Sequence, residues 1–212
     1  AATGELSITG GSLGIGGDFD VGITDYTRFD LSSGTIKMVG LPQNAPQTLE
    51  VLATDMGRSV TIPDASLFSI NKLVVGPAAT TAKLTDARDH STGPGSEVLY
   101  VNQFVLDPGT TLDLAGLKLY YGTVSPANPH APGSGVTITD SVGGGLLCRI
   151  GLQGTGDFDE NCSIDSLDLD AFVQVLLGND TLPNHQLISD MNNDGLPNGK
   201  DVQAFIEAML GP

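Results

Sequence analysis

Asp157-Phe-Asp-Glu-Asn-Cys-Ser-Ile-Asp-Ser-Leu-Asp168 runs directly into Leu169-Asp-Ala-Phe-Val-Gln-Val-Leu-Leu-Gly178. Thirty-three residues later the pattern returns: Asp190-Met-Asn-Asn-Asp-Gly-Leu-Pro-Asn-Gly-Lys-Asp201 leads into Val202-Gln-Ala-Phe-Ile-Glu-Ala-Met-Leu-Gly211. In the second half of each repeat the apolar residues fall at i, i+3, i+4, i+7 and i+8. Leu169, Phe172, Val173, Leu176 and Leu177 match Val202, Phe205, Ile206, Met209 and Leu210. That spacing predicts one apolar stripe on a short helix, and Gly178 and Gly211 stand where a helix ends. Neither helix buries its stripe alone, so the two are expected to pack together.

The first half of each repeat places oxygen-bearing groups at loop positions 1, 3, 5, 7, 9 and 12. In the first loop these are Asp157, Asp159, Asn161, Ser163, Asp165 and Asp168, and in the second Asp190, Asn192, Asp194, Leu196, Asn198 and Asp201. This is the spacing by which a 12-residue loop wraps a calcium ion. Carboxylates and amides supply most ligands, position 7 gives a backbone carbonyl, and position 9 often acts through water. Calcium is hard and takes six to eight oxygens. Magnesium keeps several waters and suits such a cage less well. Two loops in register, each feeding the same helix, predict two calcium ions.

Position 12 is Asp in both loops, where the common paired-helix calcium hand uses Glu, and Gly151–Gly156 is too glycine-rich for an entering helix. A duplicated calcium loop with only an exiting helix resembles the dockerin module over roughly residues 155–212. The resemblance implies a small helical calcium-binding module that docks on a cohesin-like receptor. Positions 10 and 11 of each loop, Ser166 and Leu167 and then Gly199 and Lys200, would help choose that partner. The two pairs differ, which argues against two equivalent docking modes. Cys162 holds position 6, where the second loop has Gly195, and Pro197 at position 8 has no N–H to bridge the loops.

Charge divides the chain at the same place. Of 25 acidic and 9 basic residues, 11 acidic and a single basic residue, Lys200, lie in 152–212. A segment this acidic destabilises its own compact state unless cations neutralise it. Its large apolar residues argue against disorder. The net charge of −16 also excludes nucleic acid, which needs a basic surface. No apolar run is long enough for a membrane span. The opening Ala1-Ala2 reads as the remainder after signal cleavage, so the protein is expected to be secreted, at the bacterial surface. In that oxidising setting Cys148 and Cys162, the only cysteines, are expected to form a disulfide across the domain boundary, two buried thiols being the alternative.

Residues 1–151 read as an all-β domain. Short alternating strands lie between Gly, Pro, Ser and Thr: Leu6–Ile8, Leu13–Ile15, Phe19–Val21, Phe29–Leu31, Ile36–Met38, Leu49–Val51, Val60–Ile62, Leu73–Val75, Phe104–Leu106, Leu112–Leu114, Leu117–Leu119 and Val136–Ile138. The prolines at 126, 129 and 132 mark an extended loop. The tokens Gly4-Glu-Leu-Ser-Ile-Thr-Gly-Gly11 and Gly11-Ser-Leu-Gly-Ile-Gly-Gly17 recur like rungs and resemble the β-solenoid repeats of bacterial surface proteins. A β-solenoid is expected, with a β-sandwich as the alternative. The chain is thus mainly β, with a small dockerin-like module after it.

No catalytic constellation stands out. Gly10-Gly-Ser12-Leu-Gly14 spells a nucleophile elbow, but that motif needs a strand–turn–helix context. His90, His130 and His185 are scattered and read as surface loop residues. The expectation is a non-enzymatic, calcium-binding structural protein that assembles with copies of itself into an extracellular fibre or surface layer. The alternative is a module that docks on a cohesin-like receptor, with the β-domain as its ligand- or glycan-binding cargo.

Overall fold

The computed structural model describes residues 4–41, 45–90, 97–125 and 133–210. The chain divides into two compact units, Ala1–Ile150 and Gly151–Pro212, within one residue of the break in composition.

Among its described residues the first unit holds thirteen strands: β1 (Leu6–Ser7), β2 (Ser12–Ile15), β3 (Phe29–Asp30), β4 (Thr35–Met38), β5 (Gln47–Glu50), β6 (Ala53–Thr54), β7 (Ile70–Val75), β8 (Thr81–Thr85), β9 (Glu97–Leu106), β10 (Thr111–Asp113), β11 (Lys118–Ser125), β12 (Thr137–Thr139) and β13 (Leu146–Arg149). The larger sheet runs β13-β11-β9-β7-β4-β2, the smaller one β12-β10-β8-β5, and β1 pairs with β3. Every pair is parallel except that of β6 with β9. From β7 onward the chain alternates between the two larger sheets, so each strand pairs with the one two places further along. Among the parallel pairs the shortest step in register joins Val98 to Lys118 and the longest Thr35 to Lys72.

Because side chains alternate across a strand, parallel in-register pairing stacks like residues into columns. One column runs Leu13, Ile36, Leu73, Phe104, Val124, and the next Ile15, Met38, Val75, Leu106. Leu49 and Leu84 pair in the smaller sheet, as do Ala82, Leu112 and Ile138. The middle members are buried in one core with Phe29, Leu31, Ile70 and Leu99. Each such side chain contributes about 1.5–3 kcal/mol on leaving water. Polar ladders follow the same register. Asn102 donates to Asn71 at 3.0 Å, and the rings of Tyr100 and Tyr120 stack at 5.2 Å. Burial pushes the Tyr100 phenol up to about 12.

Corners repeat as well. Asp25 caps a short 3-10 turn at Tyr26–Arg28 by accepting from the Thr27 amide, and Asp64 caps Ala65–Leu67 through Ser66. The rings that follow these turns, Phe29 and Phe68, meet at 5.3 Å.

Most expected strands are present, with two corrections. Val60–Ile62 lies in a loop, since Pro63 and the capped turn after it break any ladder there. Phe19–Val21 is reduced to a single bridge from Phe19 to Leu49. His90, expected on the surface, is 5% exposed. Its Nδ1 lies 3.0 Å from Glu97 Oε2 and its Nε2 meets the Val21 carbonyl. Pro126, Pro129, Pro132, His130 and Gly211 lie outside the described residues.

The second unit holds α1 (Leu169–Leu176), α2 (Pro183–Ser189) and α3 (Asp201–Leu210). The first and last are the expected pair, and Gly178 follows α1 with φ of +72°. The middle helix was not expected. Pro183 starts it by presetting φ where no N–H is needed, but only Leu187 and Ile188 are apolar in its seven residues, too few for a period. His185 sits on this helix, 2.5 Å from Asp180. Among the described residues no helix is long and apolar enough to cross a membrane.

Candidate metal centre

Each acidic loop folds back on itself through its own carboxylates, and the two do so in the same way. At position 1, Asp157 accepts from the Cys162 amide at 2.9 Å, and Asp190 from the Gly195 amide at 3.0 Å. At position 12, Asp168 accepts from the Asp165 amide at 2.9 Å, and Asp201 from the Asn198 amide at 2.7 Å. The same carboxylates reach back to position 3, accepting from Asp159 at 3.3 Å and from Asn192 at 3.0 Å. At position 5, Asn161 accepts from the Ser163 amide at 2.8 Å and Asp194 from the Leu196 amide at 3.1 Å.

Asp168 and Asp201 begin the two helices, yet Asp168 makes no side-chain cap to α1. It turns its carboxylate into the loop instead. Asp157, Asp168, Asp190 and Asp201 are at most 2% exposed. In the first loop, oxygens of Asp157, Asp159 and Asp168 lie within 4.8 Å of one another, a grouping that can hold a metal ion.

The second loop does not gather three carboxylates in this way. Position 3 is Asn192, and Asp194 is drawn toward Lys200, whose Nζ lies 3.2 Å from its Oδ2. The Lys200 ammonium holds the Asp194 carboxyl below the usual carboxylate range. Asp165 and Asn198, at position 9, each accept from the amide two residues on, those of Leu167 and Lys200.

The turn at position 6 is left-handed in both loops, with φ of +68° at Cys162 and +89° at Gly195. For a residue with a Cβ this is strained backbone. Position 4 is left-handed too, at Glu160 and Asn193. Asn193 is a residue type that tolerates this conformation, whereas nothing in the sequence marks Glu160. Neither cysteine of the chain is free, and both are in the disulfide form.

Inside the unit the Phe172 and Phe205 rings stack at 4.0 Å. Gly156 is packed so closely that a Cβ there would meet Met191, Phe205 and Ile164 at 3.0–3.3 Å. Outside, Ser166, Leu167, Gly199 and Lys200 are all exposed. So is part of each helical stripe that was expected to be covered: Val173 on α1 and Leu177 just after it, Ile206 and Leu210 on α3.

No protein-family model, curated protein or solved structure matches the chain.

Proposed function

We propose that this is a secreted, non-enzymatic calcium-binding protein, a structural subunit that assembles with copies of itself into an extracellular fibre or surface layer. The first unit is a β-solenoid whose coils are the alternating parallel strands. The second is a dockerin-like module with one calcium ion per loop.

The observation that carries the reading is the shared scheme of the two loops, with buried carboxylates at positions 1 and 12 held by the same backbone amides. Buried carboxylates are costly without a cation, and Lys200 reaches only the exposed Asp194. The donors are all oxygens, at the spacing a calcium cage requires. Asp157, Asp159, Asn161, Asp165 and Asp168, with the Ser163 carbonyl, would hold one ion. Asp190, Asn192, Asp194, Asn198 and Asp201, with the Leu196 carbonyl, would hold the other. Calcium supplies the positive charge that lets these carboxylates pack, so metal binding and folding of the module are one equilibrium.

Assembly is supported by the larger parallel sheet, whose edge strands β2 and β13 are each paired, among the described residues, on one side only. Negative-stain microscopy at millimolar calcium, then with excess chelator, tests it. Filaments or sheets that loosen on chelation are the expected result. Dispersed particles at high concentration would overturn it.

The exposed Ser166 and Leu167, beside the open stripe of Val173, Leu177, Ile206 and Leu210, favour a second reading. In it, the module docks on a cohesin-like receptor and the β-unit is cargo. Replacing Ser166 and Leu167 by Ala should then abolish receptor binding, while an assembly built on the β-unit would survive.

A further inference from the structure

We infer that Asn198 in the second acidic loop is a site of spontaneous deamidation gated by calcium: when the loop opens, its carboxamide converts to isoaspartate and the second ion site is lost. The gate and the loss rest on the calcium reading above, while the conversion itself does not.

Deamidation needs only a main-chain nitrogen beside a carboxamide. The Gly199 nitrogen attacks Cγ of Asn198 and gives its proton to solvent. The bond from Cγ to Nδ2 breaks, ammonia leaves, and a cyclic imide joins the two residues. Water then opens either carbonyl of the imide, which yields aspartate or isoaspartate without oxidant or cofactor. The attack is intramolecular, so proximity favours it. Glycine as the second residue favours it further, because no Cβ hinders the nitrogen. Asn198-Gly199 is the one Asn-Gly pair of the chain, and Asp194-Gly195 the one Asp-Gly pair.

The structure separates these two pairs. The Gly195 amide is engaged by Asp190 Oδ2 at 3.0 Å, and the Asp194 carboxylate is drawn to Lys200. The Gly199 amide donates to no group among the described residues. Gly199 is also exposed, with open space where a Cβ would stand. The nucleophile is thus free, but the carboxamide it must reach is clamped. Asn198 Oδ1 accepts from the Lys200 amide at 3.0 Å, and its Nδ2 donates to the Leu196 carbonyl at 2.7 Å. To close the imide, Cγ must swing onto the Gly199 nitrogen and give up both bonds. The closed loop therefore reacts slowly and the open loop fast.

An ion held by Asp190, Asp194 and Asp201 keeps the loop closed. Calcium binds the closed loop alone, so the rate falls by one plus the ratio of free calcium to Kd, about tenfold when that ratio is about ten. Isoaspartate carries the main chain through Cγ and inserts a methylene before Gly199. That insertion parts the Asn198 amide from Asp201 Oδ2, now 2.7 Å away, and displaces the carboxylate that closes the cage. The first loop has no counterpart, since its position 9 is Asp165 followed by Ser166.

The test incubates the whole chain in warm, mildly alkaline buffer, with excess chelator or with calcium at about ten times Kd. Peptide mass mapping follows residue 198, and calorimetry counts calcium bound by fresh and aged samples. Isoaspartate is expected at 198 ahead of every other asparagine, about tenfold faster in chelator than in calcium. The aged protein should lose one of two equivalents in proportion to the isoaspartate formed. Gly199→Ala, at a position with room for the Cβ and no positive φ, should sharply slow the conversion. If residue 198 reacts no faster in chelator than the other asparagines, the inference fails and the calcium reading stands. Aged protein that still binds two equivalents also overturns the inference. So do equal rates with and without calcium: with two ions on the fresh protein the gate alone fails, and with none the calcium reading fails too.

Discussion

The rings of Phe172 and Phe205 lie 4.0 Å apart and within 8° of parallel, at equivalent positions of the two repeats. Both are fully buried. The pair joins the two helices that follow the acidic loops, so whatever orders one loop is felt by the other through this contact.

Phe205→Ala, or Phe172→Ala, is therefore expected to destabilise the second unit by about 3–5 kcal/mol, the usual cost of emptying a buried aromatic site. Chemical denaturation at saturating calcium, followed by the helical circular-dichroism signal, checks it. A loss below about 1 kcal/mol would mean that the stack is not the centre of the module.

Gly195 has φ of +89° with open space where a Cβ would stand, so Gly195→Ala costs only backbone strain. That strain is about 1–2 kcal/mol, which corresponds to about 5–30-fold weaker binding at the second site. The first site, where Cys162 already carries this strain, should be unchanged. Calcium titration by calorimetry separates the two.

Much of this was legible in the sequence and some was not, for physical reasons. The loops and the helices α1 and α3 are local patterns, written within twelve or eleven residues and then repeated. Strand positions such as Ile36–Met38 and Leu112–Leu114 follow from alternation alone. Parallel pairing over long separations, as from Thr35 to Lys72, has no local signal. Neither does the burial of His90, which depends on a carboxylate seven residues on and a carbonyl far behind it. The difference between the loops was partly visible: Asn192 stands where the first loop has Asp159, but the approach of Lys200 to Asp194 needs coordinates.

Asp140 gathers the glycine turn near the end of the β-unit. It accepts from the amides of Gly145 and Gly116 at 2.7 Å each and from Gly143 at 3.0 Å. These hydrogen bonds, Gly145 first, hold its carboxyl below the usual range. A carboxylate depressed in the folded state stabilises fully above its unfolded value of about 3.9, and the gain is lost as pH falls through the folded value. Asp140→Ala should thus melt earlier than the wild type at pH 7, and the gap should close in acid. A gap independent of pH would show that the carboxylate charge is not what matters.

Asp168→Ala and Asp201→Ala each remove the buried carboxylate that closes one loop. Each is expected to lose one of two calcium equivalents while keeping the β-unit signal of the wild type. A variant that keeps both equivalents would remove that residue from the metal cage.

The most direct test of the central claim is calcium binding by the chelator-treated wild type, read by calorimetry with helical circular dichroism in parallel. The expected result is two equivalents bound, with half-saturation at or below about 10⁻³ M, as in extracellular calcium modules, and a gain of helix that magnesium at the same concentration does not produce. No binding up to tens of millimolar, or binding without any change in helix, would contradict a calcium-folded module.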